Sequence, residues 1–325
     1  MDSKTFLLEK MHELLSYSVI GDIQYKNRYN GFNGELHFLS WFRANRNSPL
    51  CEGGIFIPLK DTSDSFEEAI YLIVVPNPIS EYHVEQLQAA KPLSKRGQYL
   101  ITYDSNEHIK EWNCLKIDGL TDSVIPYPSS LKVFTLLDDT LSEIALSELK
   151  CRTGVKPAFH KKAAINDSLK NFFIKKLVEY NYEDILNTYL SRFILDGIYT
   201  RTNIDRNVQR GAPLDIDAFI YGKNKKWNIL EIKEKNLSAN GCFGMDVRRI
   251  NSLKKVAETF STRAFYIVRK ISDQESRSFV SWRIISMDRF DRFASKNFVE
   301  GGTGMRSTDS SNPTRLCNES YFKDI

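Results

Sequence analysis

Two short stretches, LDIDAFIY at 214–221 and ILEIK at 229–233, set carboxylates and a lysine at alternate positions of strand-like sequence. Side chains alternate across a strand, so Asp215, Asp217, Phe219 and Tyr221 share one face of the first segment. Trp227, Ile229, Glu231 and Lys233 likewise share one face of the second. If the two pair around the intervening GKNKK turn, two or three carboxylates and one lysine converge on one patch. Those groups suit metal-assisted hydrolysis of a phosphodiester. Asp217 and Glu231 supply hard oxygen ligands for Mg²⁺, which takes one or two protein carboxylates and fills its shell with water and phosphate. The cation would polarise a phosphoryl oxygen and acidify a bound water, while Lys233 orients that water or offsets charge on the phosphate. Histidine is not needed, and all five (His12, His37, His83, His108 and His160) precede residue 161. The competing reading is an exposed sheet face whose Glu and Lys pair across strands.

The elements that must position these residues follow from periodicity. Ahead of the strands, NDSLKNFFIKKLVEYNYEDILNTYLSRFILDG reads as helix, broken near Asn181, followed by the basic irregular stretch IYTRTNIDRNVQRGAP. After them, FGMDVRRINSLKKVAETF fits a helix with Val247, Ile250, Leu253, Ala257 and Phe260 on one side. RAFYIVRK and SFVSWRIISM are strand-like, and the Gly- and Ser-rich EGGTGMRSTDSSNP reads as loop. The order helix, strand, strand, helix, strand is that of a small α/β domain with a mixed sheet. The first half is also mixed α/β. An amphipathic opening helix with Phe6, Leu7, Met11, Leu14 and Leu15 is followed by GGIFIPL, EEAIYLIVV, GQYLITY and LKVFTLL as strands, with SEYHVEQLQAA as helix between them. Thr140 and Glu143 in TLSE form a capping-box pattern expected to open a helix through about Leu149. Gly154 and Pro157 in CRTGVKPAFHKK break the periodicity, giving an expected N-terminal α/β domain over 1–155 for recognition, sensing or dimerisation, and a second domain over 156–325.

The acids, the lysine and this element order resemble the PD-(D/E)XK nuclease superfamily, the restriction-endonuclease-like fold, over about residues 165–285. The resemblance implies an αβββαβ core with Asp217 as first acid, Glu231 as second and Lys233 as the lysine. Pro213 is followed by Leu214 rather than Asp, so Asp215 is the alternative first acid; Asp217 is preferred because it directly precedes the apolar AFIY. It further implies Mg²⁺, with Mn²⁺ as a substitute, the Ile232 carbonyl as an additional ligand, and an acid from the preceding helix, Glu183 ahead of Glu179. The implied activity is that of a Mg²⁺-dependent DNA endonuclease of restriction or anti-invader type. Repair, recombination or RNA-directed nucleases, and a non-catalytic nucleic-acid-binding protein on the same fold, are the alternatives. Glu148 to Lys150 in SELK is a second Glu-x-Lys, but it lies in helical sequence with no acid-bearing partner strand.

Charge supports a polyanionic partner for the second half. The net charge of +4 conceals 14 Lys and Arg against 21 Asp and Glu in residues 1–150, leaving 31 against 20 in the remainder. Arg201, Arg206, Arg210, Lys235, Arg248, Arg249 and Lys255 are candidate nucleic-acid contacts, and binding through such residues weakens with salt. Cutting both strands calls for two sites, so a homodimer is expected. The five scattered cysteines contain no C-x-x-C pair and argue against a disulfide framework or structural zinc. No nucleotide-binding loop, GxSxG or HExxH occurs, so no nucleotide cofactor is evident. GIY at 197–199 lacks the matching YIG of the GIY-YIG nucleases. No apolar run approaches the ~20 residues that span a bilayer, so no membrane partner and a cytoplasmic location are expected.

Overall fold

The computed structural model describes residues 2–58, 69–116, 124–152, 162–195, 213–222, 226–303 and 311–325. Among them are eight α-helices: α1 Ser3–Ser16, α2 Asp22–Asn45, α3 Glu81–Ala90, α4 Leu146–Arg152, α5 Asp167–Leu177, α6 Tyr182–Arg192, α7 Val247–Thr259 and α8 Met287–Phe293. The strands of the first half are β1 Leu50–Pro58, β2 Ala69–Pro76, β3 Gly97–Tyr103, β4 Asn113–Lys116, β5 Val124–Tyr127, β6 Lys132–Leu137 and β7 Thr140–Ile144. Those of the second half are β8 Leu214–Tyr221, β9 Trp227–Lys235, β10 Cys242–Asp246, β11 Arg263–Ile271, β12 Phe279–Ser286, β13 Val299–Thr303, β14 Ser311–Asn318 and β15 Lys323–Asp324. The class is mixed α/β, as the patterning leads one to expect. Among the described residues no helix is long and apolar enough to cross a membrane.

The chain divides into two compact units, Met1–Tyr25 with Gly54–Asp215, and Lys26–Gly53 with Ile216–Ile325. The expected boundary near 150–165 is not where this division falls: it runs inside α2, β1 and β8. Gly154 and Pro157 lie outside the described residues, and the division follows long-range strand and helix packing.

In unit 1 the strand order is β1-β2-β3-β6-β7. β2 is antiparallel to β1 (Ile55 opposite Leu72) and parallel to β3 (Leu72 opposite Tyr99). β2 is buried from Ala69 through Val75, the run of apolar residues that a strand covered on both faces requires. The TLSE segment is not a helix start. Asp138 and Asp139 both take positive φ (45° and 63°), which closes a two-residue hairpin with Leu137 opposite Thr140 and makes Thr140–Ile144 a strand. Helix begins only at Leu146. The break near Asn181 is confirmed as a cap: its side chain accepts from the Glu183 N–H and starts α6. α1 buries Leu7, Leu8, Met11, Leu14 and Leu15.

Unit 2 is a sheet with a helix on each face. Its strand order is β15-β12-β11-β9-β8, with the first residues of β1 beside β8. β8 and β9 are antiparallel, with Phe219 opposite Ile229 and Ala218 opposite Leu230, and β9 and β11 are parallel. One face carries Ala218, Leu230, Ile232 and Ile267, which pack with Phe38 and Phe42 of α2 and with Trp282. Gly34 lets α2 approach closely, since a Cβ there would lie 3.3 Å from the Glu234 nitrogen. The other face carries Phe219, whose ring stacks on Phe260 at the end of α7 with centroids 5.4 Å apart. α7 buries Ile250, Leu253, Val256 and Ala257, close to the expected stripe. The described residues of the Gly- and Ser-rich tail are strand rather than the expected loop: β14 lies between β10 and β13 in a small sheet, Phe243 opposite Cys317. With β10 set aside, which lies between β9 and α7 and belongs to the small sheet, the order in the chain is α2, β1, β8, β9, α7 and β11, with residues 54–215 intervening between β1 and β8.

Candidate active site

Asp217, Glu231, Lys233 and Arg249 come together on the α7 face of the unit 2 sheet. The Asp217 and Glu231 carboxylates are 1% and 0% exposed, Arg249 is 16% and Lys233 33%. The exposed part of Asp217 is main chain. Lys233 Nζ lies 2.8 Å from Glu231 Oε1 and 3.4 Å from Asp217 Oδ2. Glu231 Oε1 makes no directed hydrogen bond, so its attraction to Lys233 is one of charge. Arg249 Nη2 bonds Glu231 Oε2 and sits 3.8 Å from Asp217 Oδ1. The guanidinium thus spans the two acids.

Backbone geometry explains why these residues meet. One step beyond the Ala218–Leu230 pair, alternation turns Asp217 and Glu231 to the same face, and the parallel register puts Tyr266 beside Glu231. The Ile232 N–H is bonded to Asp217 Oδ2 at 2.6 Å, which fixes one carboxylate oxygen. Arg249 is delivered by the first turn of α7, where the Asp246 side chain caps the helix by accepting from the Arg249 N–H at 3.0 Å. Tyr266 donates to the Gly244 carbonyl at 3.1 Å, and burial holds its phenol well above the usual range. It is a committed neutral donor and not a proton acceptor. Lys235 retains accessible surface, yet protein atoms crowd its ammonium. That desolvation, with the positive charges of Lys233 and Arg277, lowers its pKa.

The opposite face of β9 holds a second buried ion cluster. Glu234, with a fully buried side chain, accepts from Arg269 Nη1 at 2.7 Å, Arg277 Nε at 2.6 Å and Asn33 Nδ2 at 2.6 Å. It ties α2, β9, β11 and the turn before β12 together. The strand carrying Glu231 and Lys233 is therefore held from both sides.

Two buried carboxylates with an unbonded oxygen between them match the donor set Mg²⁺ uses, which needs one or two protein carboxylates. Among the described residues no set of three His, Cys, Asp or Glu comes together as a metal site. A hard cation here would be held by Asp217 and Glu231 alone, with water and substrate completing its shell.

The expected residues divide accordingly. The ion pairs and the backbone bond that assemble the patch run to Asp217, the preferred first acid, while Asp215 falls on the unit 1 side of the division. Ile232, expected to offer its carbonyl, contributes its N–H. Glu183 is exposed at the start of α6 and belongs to unit 1, so it and Asp217 lie in different units. The helix that precedes the strands within unit 2 is α2, whose acid is Glu35. Arg249 is not an outward-facing phosphate contact but part of the acid cluster. Asp246 before the α7 pattern is an N-cap signal that could have placed Arg249 in a first turn. Lys235 and Arg248 are exposed and Lys255 half-buried. Arg201, Arg206 and Arg210 lie outside the described residues. Cys51, Cys114, Cys242 and Cys317 are free thiols, and burial pushes Cys51 up to about 12 and Cys317 to about 11, which leaves both inert at neutral pH.

No protein-family model, no curated protein and no solved structure matches the chain.

Proposed function

We propose that unit 2 hydrolyses phosphodiester bonds of DNA with a divalent cation held by Asp217 and Glu231. The observation that carries the reading is the convergence of two almost fully buried carboxylates on one partly exposed lysine. Burial of acids is costly unless they bind cations, and Lys233 is the only one of the three with substantial access to solvent and hence to a substrate phosphate. The order α2, β1, β8, β9, α7, β11 supports a PD-(D/E)XK-like αβββαβ core in which residues 54–215 form a long insertion.

When bound, Mg²⁺ would polarise a phosphoryl oxygen and acidify a water. Asp217 is oriented for this by the Ile232 amide, and Glu231 by Arg249 and Lys233. Lys233 offsets charge on the phosphate, and Lys235, two residues along the same face, extends the positive track. The excess of Lys and Arg after residue 150 favours a nucleic-acid substrate, and a chain of this size with two units suits a restriction or anti-invader enzyme.

The test is incubation of the purified protein with plasmid and linear DNA, in Mg²⁺ or in chelator, beside Asp217→Ala and Lys233→Ala. Cleavage is expected only for the wild type with Mg²⁺, and cleavage surviving chelator or both substitutions overturns the mechanism. One observation favours a second reading, a nucleic-acid-binding protein without catalysis: Arg249 already pairs its charge with both acids. Binding of DNA without cleavage under Mg²⁺ and Mn²⁺ would select it.

A further inference from the structure

Arg249 occupies the place that a divalent cation bound to Asp217 and Glu231 would need. Its Nη2 bonds Glu231 Oε2 and lies 3.8 Å from Asp217 Oδ1. Lys233 supplies the second positive charge, so two carboxylates are balanced by two cations and the patch is neutral as it stands. A doubly charged ion added beside both cations would leave two uncompensated positive charges against carboxylates that are 1% and 0% exposed. At low effective dielectric such an excess is strongly unfavourable. One resident cation has to leave as the ion enters.

The two residents differ in how they are held. Lys233 shares strand and face with Glu231 and bears on both acids, so it stays beside the reaction centre. Arg249 reaches in from another element, the first turn of α7, whose backbone the Asp246 cap holds. Its side chain has several rotatable bonds between that anchor and the guanidinium, and it can turn outward without moving β8 or β9.

We propose that Arg249 is an internal counter-cation. It holds Asp217 and Glu231 together when no divalent ion is bound, competes with that ion for the same oxygens, and so sets the metal affinity of the site. The proposal rests on the reading of the two acids as cation ligands. In this scheme the Arg249-engaged state cannot take the ion, and the apparent dissociation constant is raised by the fraction of molecules in it. If about nine-tenths of the molecules are engaged, removing the guanidinium tightens binding about tenfold.

The experiment measures Mn²⁺ binding to the full chain by the loss of the free-ion electron paramagnetic resonance signal, independently of any cleavage. The proteins are wild type, Arg249→Gln, Arg249→Lys and Asp217→Asn. Arg249→Gln is expected to bind about tenfold more tightly, and Arg249→Lys about threefold, because an ammonium makes a point contact where the guanidinium forks across both acids. Melting in chelator reports the other half of the device: Arg249→Gln starts below wild type and gains more from Mn²⁺. Equal or weaker binding by a folded Arg249→Gln, in a protein whose Mn²⁺ binding is lost in Asp217→Asn, overturns this inference and leaves the metal reading standing. If Arg249→Gln does not fold, Arg249→Lys decides, and binding equal to wild type overturns the inference. If neither wild type nor the Arg249 variants take up Mn²⁺ at millimolar concentration, the acids are not ligands and both readings fall.

Discussion

The Ile232 amide donates to Asp217 Oδ2 across 2.6 Å, so the first acid of the patch is fixed by the backbone of the strand that carries the second. A substitution at Asp217 therefore acts on the carboxylate charge and on strand geometry together. Asparagine keeps an oxygen able to accept that bond. We expect Asp217→Asn to fold and to lose at least about a hundredfold in Mg²⁺-dependent cleavage, the upper end of what disturbing a metal site costs. Asp215→Asn should retain activity within a few fold. Equal losses in a plasmid-nicking assay would remove the distinction between the two acids.

Glu234 is fully buried between Arg269 and Arg277 and bonded by Asn33. Glu234→Gln removes the only acid of that cluster and strands two guanidiniums that are 6% and 7% exposed. Loss of one partner from a buried ion pair costs about 3–5 kcal/mol, and urea denaturation should report a drop of that size. A change within experimental error would mean that the two arginines find solvent when Glu234 is neutral.

Gly53 leaves no room for a side chain, because a Cβ there would fall inside the Ile216 carbonyl and against the Asp217 main chain. Gly53→Ala must push β1 or β8 aside. Overpacking of this kind costs about 1–3 kcal/mol, and here the strain reaches the residue that presents Asp217. Thermal denaturation and cleavage should both decline. Lower stability with full activity would show that β1 alone gives way.

His12 in unit 1 sits 2.8 Å from the Tyr25 hydroxyl. Burial first, then the positive charges of Lys170 and Lys162, push its pKa down to about 4, against the opposing pull of Glu9 and Glu13. The unfolded imidazole titrates near ~6.5. Between those values the unfolded chain binds a proton that the folded one excludes, so this contribution to stability is complete above about 6.5 and is lost as pH falls toward about 4. Urea titrations across that window should slope less steeply in His12→Gln than in wild type. Identical slopes would assign the acid sensitivity to other groups.

The core of the site was legible because it needs only strand alternation and one hairpin register. Asp217, Glu231 and Lys233 follow from those two facts. Arg249 was legible as a helix residue but not as a partner of the acids, since no local pattern states which sheet face α7 covers. Glu234 sits between two lysines in IKEKN; it is buried because α2, whose Asn33 is 201 residues earlier, covers that face. The same distance hid the membership of α2 and β1 in unit 2. At the hairpin of Asp138 and Asp139, two positive φ angles overrode a capping-box pattern. In the Gly- and Ser-rich tail, pairing with β10 outweighed weak strand propensity.

The excursion of residues 54–215 leaves unit 2 at Gly53 and returns at Ile216, and those two residues touch. During synthesis, α2 and the start of β1 emerge first yet have no sheet to pack on until β8 and β9 follow. Residues 54–215 of unit 1 are made in the interval. The chain thus has a built-in assembly order, in which the inserted segment can begin to fold as it is translated while the unit 2 sheet closes afterwards around an already waiting helix. The ends of the loop that must be closed are drawn together late, and the acids can meet only after β9 has followed β8.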